Sequence, residues 1–175
     1  MDASELRRCV RDIADFPKPG VTFKDITPLL SNTDAFRSTI DLISAHFERQ
    51  PVERVLGVEA RGFIIAAPVA YKFGAAFIPV RKAGKLPWEI ERVEYELEYG
   101  SDLLEIHRDA IAPGDHVVIV DDVLATGGTA AATVRLVEKL GGVVAGLAFV
   151  IELAFLNGRD KVAGYDVMSL ITYET

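Results

Sequence analysis

A single cysteine, Cys9, excludes any intrachain disulfide. A chain without a disulfide framework suits a reducing compartment, and Cys9 itself is expected to be an inert, buried thiol. Long apolar runs are also missing. The longest, such as Val143–Ile151, fall far short of the roughly 20 residues that a membrane span needs. The opening residues, Met1 to Arg8, contain no apolar stretch of the kind a secretory signal carries. Positive charge is scarce. A formal net charge of −7 argues against general nucleic-acid binding. It also means that a site for a highly anionic ligand must gather its cations locally. Neither G-x-x-x-x-G-K-S/T nor a strand followed by G-x-G-x-x-G occurs, so the commoner nucleotide-phosphate motifs are excluded. Internal repeats, low-complexity tracts and linkers are absent too. The expectation is a cytoplasmic enzyme of one domain, residues 1–175, with no membrane or nucleic-acid partner. A domain of about 150 residues buries roughly 68–70% of its unfolded surface, enough to fold without staples.

What is present alternates between strands and helices. Ala3–Ile13 is spaced as a short helix, ended by Phe16-Pro17-Lys18-Pro19-Gly20. Ser31–Thr33 with Asp34 reads as a helix start, and Phe36, Ile40, Ile43 and Phe47 mark one helix face. Arg54–Val58 and Phe77–Val80 read as strands around a buried helix, Phe63–Phe73, that Pro68 would kink. Val117–Val120, Thr129–Leu140 and Val143–Ile151 form a further strand, helix and strand, with Gly141-Gly142 as the helix stop. Val167–Ile171 is a last strand. The implied class is α/β, with a mostly parallel central sheet flanked by helices. Glu91–Gly100 differs. Val93, Tyr95, Leu97 and Tyr99 alternate with glutamates, the period of a two-faced β-arm.

The most informative stretch is Val117 to Thr129. An unbroken β-branched run suits a strand buried on both faces. Asp121 and Asp122 follow where that strand is expected to end, and Ala125-Thr126-Gly127-Gly128-Thr129 then opens a helix. Ligands of open α/β sheets bind outside the carboxyl ends of the strands. A Gly/Thr loop at a helix N-terminus offers free N–H groups, hydroxyls and a favourable dipole end to a phosphate. Its glycines are expected to let backbone approach the phosphate and to adopt unusual φ values. The adjacent acids suit sugar hydroxyls or hydrated Mg²⁺. The segment therefore proposes a phosphorylated sugar, the alternative being acids that merely cap a turn.

Two further strand ends carry cations. Glu59-Ala60-Arg61-Gly62 is a tight turn between strand and helix, and the Arg61 fork matches phosphate oxygens. Arg81, Lys82 and Lys85 cluster after the next strand, where they hold a diphosphate or form a solvated basic loop. Residues 15–30 are proline-rich and read as a rigid, extended connection. In it, Phe23 suits stacking on a flat heterocycle whose edge neighbouring backbone groups read. The histidines His46, His107 and His116 fit surface or structural roles.

Five segments occur in order: Asp-Phe-Pro-Lys-Pro-Gly-Val-x-Phe-Lys-Asp-Ile-Thr, Glu-Ala-Arg-Gly-Phe, Val-Arg-Lys-x-Gly-Lys-Leu-Pro, Leu-Glu-Tyr-Gly and Val-Asp-Asp-x-Leu-Ala-Thr-Gly-Gly-Thr. The last resembles the 5-phosphoribosyl 1-diphosphate (PRPP) motif of the type I phosphoribosyltransferase family. The first and fourth resemble its adenine-specific branch, and the similarity covers nearly the whole chain. The resemblance implies the family fold, with a small N-terminal hood in residues 1–33 and a mobile catalytic β-arm loop in residues 84–99. It implies that adenine and PRPP give AMP and diphosphate, with Mg²⁺, in purine salvage.

Carried over by position, Thr22, Phe23 and Lys24 fall on the adenine pocket. Phe23 would stack on the base, and backbone groups of Thr22 and Lys24 would read its edge. Lys24 stands where some members have Arg. Asp121 and Asp122 fall on the ribose hydroxyls. Ala125, Thr126, Gly127, Gly128 and Thr129 fall on the 5′-phosphate. Ala60, Arg61, Arg81, Lys82 and Lys85 fall on the diphosphate, and Glu98 and Tyr99 on the catalytic end of the loop. No protein metal ligands are implied, Mg²⁺ being held mainly through PRPP and water. A homodimer is implied, and the sequence leaves open whether Arg81 acts across its interface. Two other readings stand beside this one: a phosphoribosyltransferase for guanine, hypoxanthine, xanthine or orotate, and a non-enzymatic PRPP sensor that regulates transcription.

Overall fold

A computed structural model describes residues 1–96 and 101–175. Its helices are α1 (Ala3–Arg7), α2 (Thr27–Ser31), α3 (Thr33–Phe47), α4 (Arg61–Phe73) and α5 (Gly128–Lys139). Its strands are β1 (Arg11–Ile13), β2 (Phe23–Asp25), β3 (Arg54–Val58), β4 (Ala76–Lys82), β5 (Ile90–Glu96), β6 (Ser101–His107), β7 (His116–Leu124), β8 (Val143–Leu153) and β9 (Val167–Tyr173). Two 3₁₀ turns, Ala154–Leu156 and Gly158–Val162, follow β8.

Among the described residues, seven strands form one sheet in the order β5-β6-β4-β3-β7-β8-β9. Strands β4, β3, β7, β8 and β9 run parallel, while β6 is antiparallel to both β4 and β5. Both faces are covered. Val55, Val118 and Val120 point into a core built with α1 to α4. Leu56, Val117 and Ile119 point into a second core built with α5 and the β5–β6 arm. Alternate residues of Val117–Val120 thus enter opposite cores, and this is why the run is apolar without interruption.

Local chemistry sets the helix ends. Asn32 caps α3 by accepting from the N–H groups of Asp34 at 3.1 Å and Ala35 at 3.0 Å. Gly74, left-handed at φ 66°, ends α4. Pro68 lies inside α4, as the sequence reading allowed.

The structure corrects that reading in three places. The helix expected over Ala3–Ile13 is opened by a capping box between Asp2 and Glu5 but stops at Arg7. Arg11–Ile13 instead pairs with β2, so Ile13 lies exposed and only Leu6 of the expected stripe is fully buried. The connection over residues 15–30 is not wholly extended. It contains β2 and then α2, whose first turn accommodates Pro28. Finally, Asp121 and Asp122 do not follow β7 but lie within it. The ladder to β3 ends at Gly57↔Val120, whereas the ladder to β8 continues to Leu124↔Glu152. The acids are therefore beyond the sheet on one side and paired on the other.

Candidate active site

A cavity of about 310 Å³ opens at the C-terminal ends of β3, β4 and β7. Asp121, Asp122, Arg61, Lys82, Tyr95 and Thr129 line it. A larger cavity of about 740 Å³ lies between the β5–β6 arm and α5, but the acid pair and the Arg61 turn do not line it. The chemistry is concentrated in the smaller one.

Its floor is the acid pair. Asp122 is 6% exposed, and its N–H donates to Asp121 Oδ1 at 2.9 Å. Arg61 Nε lies 2.7 Å from Asp122 Oδ2. This contact is an ion pair without hydrogen-bond alignment, so that buried oxygen lacks a hydrogen-bond partner among the described residues. Burial pushes both carboxyls above the usual aspartate range; the charge on Asp122 pushes Asp121 further, while Arg61 partly offsets the rise at Asp122. Arg61 covers that oxygen, so a ligand hydroxyl would reach it only if the guanidinium shifted. Gly62 makes this packing possible, since a Cβ there would lie 2.7 Å from Asp121 Oδ1.

The loop after β7 lines a second, small cavity of about 80 Å³ through Ala125, Thr126, Gly127, Gly128 and Thr129. No side chain caps the first turn of α5 among the described residues, which leaves its leading N–H groups for an anion. Gly127 has the expected positive φ, 77°. The close backbone approach it permits is, however, to another part of the protein. A Cβ on Gly127 would lie 2.2 Å from the Gly158 carbonyl oxygen, and one on Gly158 would lie 2.1 Å from that of Ala125.

The basic cluster is held in ion pairs. Glu59, at the turn that begins α4, accepts from Arg81 Nε at 2.8 Å and Lys85 Nζ at 2.6 Å. Burial works against charge on Glu59, but the bonds from Lys85 and Arg81 prevail and hold its carboxyl below the usual range. Lys82 pairs with Asp102 at 3.0 Å, which raises the lysine. Buried Glu105 accepts from the Gly84 N–H at 3.0 Å and so fixes the loop that joins these cations. Arg81 is thus bound within its own chain.

Phe23 on β2 does not line the cavity but lies beside Arg61, which does. Its ring meets Phe16 edge-on at 5.3 Å, and Arg61 Cζ lies 5.1 Å from its centroid. Thr22 is exposed. The Lys24 side chain turns elsewhere, to Asp12 at 2.8 Å and to the Tyr173 ring at 4.1 Å. Arg7 also lies 4.1 Å from that ring. Tyr173 therefore fastens α1 and β2 to the last strand.

Sequence reasoning missed Glu59, Asp102, Tyr95, Gly158 and Tyr173. Glu59 stood inside the quoted Glu-Ala-Arg-Gly turn, and its charge beside a basic cluster was a usable signal. Nothing local distinguishes Gly158 or Tyr173. Glu98 and Tyr99, the expected catalytic pair, lie outside the described residues. His46 pairs with Asp166 at 3.0 Å and His116 with Glu53 at 3.1 Å, in keeping with structural roles. Among the described residues, no helix is long and apolar enough to cross a membrane.

Comparison with known proteins agrees with this geometry. Residues 27–171 match the phosphoribosyl transferase domain family. An adenine phosphoribosyltransferase of Roseiflexus sp. (strain RS-1) is 54% identical over 170 residues, 97% of this chain and 99% of its own length. The crystal structure of adenine phosphoribosyltransferase from Thermoanaerobacter pseudethanolicus is 51% identical, with a TM-score of 0.95 over 98% of this chain and 99% of that one. The Saccharomyces cerevisiae enzyme, complexed with an imino-altritol bisphosphate and adenine, is 42% identical, with a TM-score of 0.92 over 96% of this chain and 97% of that one. The chain belongs to the phosphoribosyltransferase family, in its adenine phosphoribosyltransferase branch.

Proposed function

We propose that this site transfers the 5-phosphoribosyl group of PRPP to adenine, giving AMP and diphosphate. The observation that carries the reading is the position of Arg61, which bridges the Phe23 ring and the Asp122 carboxylate. A base on Phe23, a ribose on the acids and a diphosphate at the Arg61 turn then meet around Arg61.

Asp121 and Asp122 accept from the ribose 2′- and 3′-hydroxyls. Residues 125–129 hold the 5′-phosphate through backbone N–H groups and the hydroxyls of Thr126 and Thr129. Adenine stacks on Phe23, and backbone groups of Thr22 and Lys24 read its edge, a role that the diversion of the Lys24 side chain leaves open. The N9–C1′ bond forms as the bond from C1′ to diphosphate breaks, through a transition state of oxocarbenium character. Arg61, the Ala60 backbone, Arg81, Lys82 and Lys85 take the charge of the departing diphosphate. For Arg81 and Lys85 this requires sharing with, or release from, Glu59. Adenine loses one proton as N9 bonds to C1′; Glu98 accepts it from N7, with Tyr99 next in the chain. Positioning by both ends of PRPP supplies much of the rate. A loop that closes over the site keeps water from the ribosyl carbon.

Magnesium bound with PRPP supplies further positive charge against the leaving diphosphate. The acid pair suits an outer contact with such a hydrated ion, whereas no group of three or more His, Cys, Asp or Glu among the described residues is arranged to hold a metal alone. We further propose a cytoplasmic homodimer, which sedimentation of the purified protein tests. The activity is tested by AMP synthesis from adenine, PRPP and Mg²⁺ with guanine, hypoxanthine, xanthine and orotate as competitors. Adenine is expected to be used alone; preferential use of another base overturns the assignment of the hood.

A further inference from the structure

The 5′-phosphate loop is supported from behind by a charged pair that the mechanism above does not use. Glu152 is 6% exposed and sits opposite Leu124, the residue just before the loop, in the β7–β8 ladder. Arg159 grips it with two nitrogens, Nε to Oε1 at 2.9 Å and Nη2 to Oε2. The same guanidinium donates to the Val167 carbonyl at 2.9 Å and to Ser169 Oγ at 3.4 Å, both on β9. Arg159 thereby ties the second 3₁₀ turn to β8 and β9 at once.

The residue beside it is Gly158, which lies against the loop. A Cβ on Gly158 would meet the Ala125 oxygen at 2.1 Å and the Gly127 nitrogen at 2.8 Å. The loop's own helix start carries no side-chain cap among the described residues, so local capping does not fix its shape. Asn157, left-handed at φ 54°, turns the chain into this contact. We propose that the Glu152–Arg159 pair is a positioning device for the 5′-phosphate loop, acting through the Gly127–Gly158 backbone contact. The inference rests on the reading that residues 125–129 bind the 5′-phosphate.

The chemistry points to a fork rather than a charge. Lysine at 159 keeps the charge but loses the two-point grip and the planar geometry that reaches β9. Arg159→Lys and Glu152→Gln are therefore expected to raise the KM for PRPP by about tenfold, a loss of about 1.4 kcal/mol in binding. The adenine KM is expected to hold, as is kcat at saturating PRPP. Backbone amide resonances of Gly127 and Gly128 are expected to move in both variants. A purely structural role predicts a lower melting temperature with both substrates affected alike.

The test combines these kinetics with calorimetry of ribose 5-phosphate on the full-length protein. Glu152→Gln is the milder change and serves if Arg159→Lys does not fold. Thr126→Val and Thr129→Val, which remove hydroxyls from the loop itself, separate the two layers of the argument. Weakened ribose 5-phosphate binding in all the variants, with adenine unaffected, supports the proposal. Weakened binding in the threonine variants but not in folded Arg159→Lys or Glu152→Gln overturns the positioning role and leaves the loop assignment standing. Unaltered binding in the threonine variants overturns the loop assignment and the proposal with it.

Discussion

Arg61 stands 2.7 Å from Asp122 Oδ2 without giving that oxygen a hydrogen bond. Its guanidinium offsets part of the charge on a buried acid pair and covers the oxygen it faces.

That arrangement has a pH signature. Burial and the neighbouring Asp122 raise the Asp121 carboxyl well above its ordinary range. A group raised in this way contributes its stability below the unfolded pKa and loses it as pH rises through the folded value. Near neutral pH, Asp121→Asn is expected to melt a few degrees higher than the parent. The gain should shrink as pH falls into the aspartate range. An amide there keeps an acceptor for the Asp122 N–H and removes a charge. Scanning calorimetry from pH 4 to pH 8 checks this, and a gain that grows toward acid contradicts it.

Phe23→Ala is expected to weaken adenine binding far more than PRPP binding. Stacking of a base on an aromatic ring is worth about 1–3 kcal/mol in single-stranded nucleic-acid sites, the nearest guide. Because Arg61 rests near the same ring, a small loss for PRPP is expected as well. Separate KM values decide the matter, and equal losses for both substrates indicate general damage instead.

Tyr173 offers a test of the hood from a distance. Arg7 and Lys24 both lie over its ring, which is buried, so these contacts are stronger than at an exposed site. Tyr173→Leu keeps most of the apolar bulk and removes both contacts. The adenine KM is expected to rise several-fold while the PRPP KM stays the same. A change confined to PRPP would detach the hood from base recognition.

Much of the central sheet was legible because its strands are buried on both faces. Arg54–Val58 has the bounds read from its apolar run, and Val117–Val120 and Val143–Ile151 fall inside longer strands. The strands β1 and β2 were not legible, because each is three residues long and is stabilised by pairing rather than by pattern. Strand β6 was hidden for a similar reason: Leu104, Glu105 and Ile106 are all buried, so its sequence does not alternate simply. The motif residues were found by their chemistry at strand ends. Their partners, Glu59 for Arg81 and Gly158 for Gly127, were not, since each contact joins segments more than 20 residues apart and depends on register.

Glu98 remains the proposed acid–base group for N7. Glu98→Leu is expected to lower kcat by about 10²- to 10⁴-fold with PRPP binding little changed, the usual range for such groups. Glu98→Gln should retain more activity if a hydrogen bond suffices. Glu94→Gln is the control: Glu94 accepts from Ser101 Oγ at 2.5 Å and is expected to be nearly silent. Equal tolerance at both positions removes Glu98 from the chemistry.

The most direct test of the whole account is the yield of AMP and diphosphate from adenine and PRPP, compared between the parent protein and the Asp121→Asn/Asp122→Asn variant. The account predicts equimolar products from the parent and a severe loss in the variant, with its fold intact by circular dichroism. No AMP from the parent, or undiminished AMP from the folded variant, would contradict it.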